Sequence, residues 1–100
     1  MVIDVVAHAP QCYTYGDGEK IAALIKDALR RSETAVVSFR GVDAVPSSFV
    51  NAAFVSLLDD FPADAIRRHV RVVDSTRQIN SLIKDQIGKE AARRPDPAFA

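Results

Sequence analysis

The segment Ala35-Val36-Val37-Ser38-Phe39 limits what this chain can fold into more than any other stretch. Its apolar run lacks the polar alternation of a half-buried strand. That pattern predicts a central strand covered on both faces, the arrangement of a parallel sheet in an α/β protein. A tight turn follows, and Ser47 and Ser48 stand where a helix should begin, where a hydroxyl reads first as the cap of that helix. A helix N-terminus offers unpaired backbone N–H groups and partial positive charge, so it suits an anion or a phosphorylated hydroxyl. No other part of the chain concentrates chemistry in this way.

The flanking segments extend the α/β pattern. Residues 2–7 are rich in β-branched side chains and read as a first strand, residues 11–15 as a second, with a hairpin around Ala9-Pro10. Gly16-Asp17-Gly18 closes that strand and opens a helix, with Asp17 as its N-cap. Ile21, Leu24, Ile25, Ala28 and Leu29 then recur at helical spacing. Beyond the serines, Phe49, Ala53 and Leu57 share one helical face, with Val50, Phe54, Leu58 and Phe61 beside them. That helix should stop at Phe61-Pro62, because proline disfavours helix in the residue before it. A short helical turn fits residues 63–68. Residues 70–73 form the last strand. Ser75 and Gln78 have the spacing of a capping box before the stripe Ile79, Leu82, Ile83 and Ile87. The expected order is β-β-α-β-α-β-α, a mixed sheet of about four strands with three main helices. One domain is expected over residues 1–92, with residues 93–100 expected as a flexible C-terminal tail.

Charge and composition exclude several classes. Thirteen basic and thirteen acidic residues cancel, which removes a general electrostatic case for nucleic acid or anionic membranes. No apolar run approaches the roughly 18 residues needed to cross a bilayer. The start Met-Val-Ile-Asp lacks the features of a signal peptide, and a single cysteine excludes an internal disulfide, so a cytoplasmic location is expected. A neutral surface and an edge strand at residues 2–7 allow a homodimer.

Other reactive residues read as structural. Gly16-Asp17-Gly18-Glu19-Lys20 lacks the spacing of a phosphate loop. His8, His69 and Cys12 show no metal-ligand spacing, and Cys12 reads as a small hydrophobe. Asp59-Asp60 reads as a solvated helix end, and Tyr13 and Tyr15 as neighbours on one strand face. No nucleophile–base pair is legible, so neither an enzyme nor a cofactor is expected.

The order of elements, together with Val36-Val37-Ser38-Phe39-Arg40-Gly41-Val42 and Ser48-Phe49-Val50-Asn51, resembles the STAS domains of sulfate transporters and anti-sigma-factor antagonists. It resembles most closely the bacterial STAS-like family of unknown function, over about residues 2–90. Ser38 stands where that family usually carries Asp, and Pro46 stands where the antagonists carry Asp before their phosphorylated serine. Alignment with the antagonists puts Ser47 in the phosphoacceptor place, whereas alignment with the STAS-like family makes Ser48 the signature serine.

The resemblance implies a non-enzymatic regulatory module that works by protein–protein contact, with a histidine-kinase-like ATPase or an anti-sigma-type regulator as partner. Contact is expected through loop 41–48 and the following helix, with Ser47, Ser48, Asn51, Asp43 and Arg40 as the residues concerned. Phosphorylation of a serine would switch it. The alternative is a sensor of a small anion or nucleotide bound at the Ser47/Ser48 helix start, with Arg40 as its charge partner.

Overall fold

The computed structural model describes residues 1–10 and 14–93, so the expected tail beyond residue 93 lies outside the described residues. Its strands are β1 (Val2–Asp4), β2 (Ala35–Ser38) and β3 (Val70–Val73). Its helices are α1 (Val5–His8), α2 (Tyr15–Arg30), α3 (Ser47–Ala53), α4 (Ala63–His69) and α5 (Arg77–Arg93), with a 3₁₀ turn at Val55–Asp59.

Among the described residues the sheet has three strands in the order β1-β2-β3, all parallel. The expectation was about four strands in a mixed sheet. Part of the expected second strand lies outside the described residues, and its last residue, Tyr15, opens α2 instead. The β-branched run at residues 2–7 is likewise divided. Its strand ends at Asp4 and the chain turns helical at Val5, with the Ala9 N–H donating to the Val5 carbonyl at 2.8 Å.

The strand order explains which face is covered. Each connection moves one position in the same direction, and right-handed crossovers then place their helices on the same side. The register aligns Ile3, Val37 and Val72 across one face and Val2, Val36 and Arg71 across the other. Ile3 and Val37 are fully buried, whereas Val2 is 73% exposed, Arg71 is exposed and Val36 is half-buried. β2 is central as expected, but its second face is covered only in part, with Ser38 buried and Val36 half-buried.

The core forms on the covered side. Phe39, Phe49 and Phe54 are fully buried, with Phe39 edge-on to Phe49 at 6.4 Å and tilted against Phe54 at 6.2 Å. Ile21, Ile25 and Ala28 bring α2 onto them, and Ile79 and Ile83 do the same for α5. α2 and α3 meet at Gly18. A Cβ there would stand 2.5 Å from the Phe49 carbonyl oxygen and 2.6 Å from the Ala52 Cβ, so only glycine allows the approach.

The long helix expected after the serines is divided in two. α3 ends at Ala53, and a 3₁₀ turn carries the chain to Asp59. The Ser56 hydroxyl donates to the Ala52 carbonyl at 2.6 Å, a back-bond that competes with regular helix. Lys26 and Arg30 of α2 reach Asp60 at 3.0 and 3.8 Å, tying the end of this turn to α2.

Two caps differ from expectation by one or a few positions. Thr14, not Asp17, caps α2. Its Oγ1 accepts from the Asp17 N–H while the Asp17 carboxylate accepts from the Thr14 N–H. At α5, Thr76 replaces Ser75, with the Ile79 N–H donating to Thr76 Oγ1 at 3.3 Å. No described helix is long and apolar enough to cross a membrane.

Candidate functional site

The carboxyl end of β2 leads into the segment that sequence singles out. Ser38 is 8% exposed, and its hydroxyl donates to Asp74 Oδ2 at 3.2 Å, joining the ends of β2 and β3. The Val42 N–H returns to the Phe39 carbonyl at 2.9 Å, closing a turn around Arg40 and Gly41. Gly41 has φ +85°, which the third position of such a turn can require and which other residues adopt only under strain.

The start of α5 holds the rest of the loop. The Thr76 hydroxyl donates to the Asp43 carbonyl at 2.9 Å. The Gln78 amide spans the Val45 backbone, accepting from its N–H and donating to its carbonyl, both at 3.4 Å. Thr76 thus caps α5 and anchors the loop at once. Val45, 5% exposed, seats this segment in the core.

The two serines follow directly. Pro46 occupies the N-cap position of α3, so Ser47 and Ser48 are the first two helical residues. Neither caps the helix, since α3 has no side-chain cap hydrogen bond. Both are exposed, and among the described residues neither hydroxyl has a hydrogen-bond partner. Proline holds the N-cap, the place a capping serine would need, one position before Ser47 and two before Ser48.

The remaining candidates lie around them without forming one cluster. Asp43 is exposed in the loop and engaged through its backbone carbonyl. Arg40 is exposed, and its backbone N–H donates to Ser38 Oγ at 3.4 Å. Among the described residues, no hydrogen bond or ion pair joins Arg40 to either serine. Asn51 is half-buried one turn along α3, in a depression shared with Gln86 and Lys89 of α5.

Sequence reasoning missed Thr76 and Asp74, and it read Gln78 as part of a capping box rather than as the side chain that holds the Val45 backbone. Thr76 was masked by Ser75 beside it, and the partner of Gln78 lies more than thirty positions away. His8 and His69 are exposed, and Cys12 lies outside the described residues, as does Tyr13. Among the described residues no group of His, Cys, Asp and Glu could hold a metal ion.

The arrangement can present two adjacent free hydroxyls on a rigid base. No curated protein and no solved structure gives a significant match to the chain. The model of the STAS-like domain of unknown function (DUF4325) matches residues 17–80, from the first turn of α2 into the first turn of α5. The three-stranded parallel sheet and the pinned loop are thus features of a chain that belongs to this STAS-like family.

Proposed function

We propose that the chain is a regulatory protein–protein interaction module whose contact surface is loop 41–48 with the start of α3. The observation that carries this reading is the pair Ser47 and Ser48, exposed and with hydroxyls that have no hydrogen-bond partner among the described residues, beside a loop held by Thr76 and Gln78. A preformed surface binds without the cost of ordering it. Free hydroxyls are also open to a kinase, and each phosphate would add roughly −1.5 to −2 charge at neutral pH. The exposed start of α3 leaves that charge in water, whereas an acidic or apolar partner surface fitted to a hydroxyl does not accommodate it. This difference in affinity between two states is what a switch needs. The partner class suggested by STAS antagonists is a histidine-kinase-like ATPase or an anti-sigma-type regulator.

The reading as an anion or nucleotide sensor has less support. α3 has seven residues and therefore few aligned peptide dipoles. The strand order never reverses, so the described sheet lacks the switch-point crevice in which open α/β sheets bind nucleotides.

The test is capture of the tagged chain from its native cells, with intact-mass measurement and then binding of the recovered partner to two double variants. Ser47→Asp with Ser48→Asp should weaken the complex, while the two alanine replacements leave it nearly unchanged. Equal binding by both would remove the switch and leave docking alone.

A further inference from the structure

A second surface lies along the edge of β3 that no described strand covers, away from the serine loop. There β3, α4 and α5 enclose a groove of about 470 Å³. Its floor is Phe54, Ile66 and Ile83, and Val70, Val72 and Ile87 form its half-buried walls. Two cations stand at its margin, Arg67 on α4 and Lys84 on α5, both exposed. Among the described residues neither is in an ion pair, although Arg68 beside Arg67 is paired with Asp64.

The backbone next to this groove is open as well. The Phe39 N–H donates to the Val73 carbonyl, so Val73 turns its polar groups toward β2. Strand alternation then directs the N–H and C=O of Val72 outward, to the edge that no described strand covers. The Val70 N–H is already used by the Ile66 carbonyl, which fixes where a new ladder can begin. An unpaired edge, an apolar groove under its side chains and two unpaired cations beside it make a matched set. A segment laid along β3 would satisfy Val72, place alternate apolar side chains in the groove and meet the cations with carboxylates.

We propose that the β3 edge and this groove dock an extended segment of a partner protein, with apolar side chains two residues apart and an Asp or Glu flanking them. The volume fits two side chains of an added strand, and the charge of the margin selects acidic neighbours over basic ones. This surface is separate from loop 41–48, so the module would hold two contacts at once.

The experiment is to pan a random heptapeptide phage library on the full chain and to synthesise the most enriched peptide. The expected family carries two apolar residues at i and i+2 with an adjacent carboxylate. Arg67→Glu with Lys84→Glu, both on the surface, should weaken peptide binding by about tenfold or more while thermal unfolding stays unchanged. Bound peptide should also slow hydrogen exchange at the Val72 amide. The proposal is overturned if no family is enriched, if enriched peptides bind the double variant equally well, or if basic peptides dominate. It is equally overturned if a second copy of the chain covers this face, seen as a concentration-dependent mass that the double variant abolishes. Protection of Val72 by residues 94–100 of the same chain would overturn it too.

Discussion

The two sides of the helical layer are packed under opposite rules. At the α2–α3 seam, Gly18 meets the backbone of Phe49 so closely that a methyl group has no room. At the β3–α4–α5 side, Phe54 and Ile83 belong to the same core yet border a groove of about 470 Å³. The seam spends its apolar surface within the molecule and fixes where α3 begins, whereas the groove leaves apolar surface for something else. The difference assigns stability to one side and recognition to the other.

The strongest way to break this contrast is to add one methyl group at the seam. Gly18→Ala is expected to lower unfolding stability by about 2–3 kcal/mol in urea denaturation, because the clash with backbone outweighs the gain of about 1 kcal/mol in helix propensity. A neutral result would show that α2 and α3 can move apart. Ile83→Ala should cost about 2 kcal/mol, the low end for such a truncation, since the groove already leaves that side chain short of neighbours. A loss above about 4 kcal/mol would mean the groove closes in solution.

Smaller effects sharpen the account of the loop. Thr76→Ala removes a cap and a loop anchor together and should cost about 1–2 kcal/mol, with faster amide exchange at residues 43–45. Replacing Ser47 and Ser48 together by Ala should change stability by less than about 0.5 kcal/mol, because neither caps α3. A loss near 1 kcal/mol would make one of them a cap in solution and weaken the case for free hydroxyls. Last, Val72→Ile adds a methyl beside the groove and should leave stability within about 0.5 kcal/mol of the parent, the counterpart of Gly18→Ala.

Sequence made the long-period features legible. The stripe through Ile21, Ile25 and Ala28 gave α2, Pro62 ended the segment before α4, and the apolar run at Ala35 gave β2. Features decided by one residue or by distant contact were not legible. Val5 and Val6 have strand propensity, yet they turn helical after Asp4 where the ladder with β2 stops. Thr14, Asp17, Ser75 and Thr76 are all good caps, and choosing among neighbours depends on where the first helical carbonyl falls. The serines stood out because their type is chemically informative, but their positions one and two residues past the cap follow from Pro46. The groove left no sequence signal, since Arg67 and Lys84 approach it from different helices.

The parallel sheet also has a kinetic consequence. Val36 pairs with Val2 and with Arg71, each more than thirty positions away along the chain. No described strand is joined to its neighbour by a short hairpin, so no ladder can nucleate locally. Each must wait for a loop of that length to close, with α2 or α3 and α4 inside it. Folding should accordingly be slower than in a helical bundle of the same length. On the ribosome β2 would stay without its third strand until the last of β3 has emerged, leaving Val37 and Phe39 exposed to other chains in the interval.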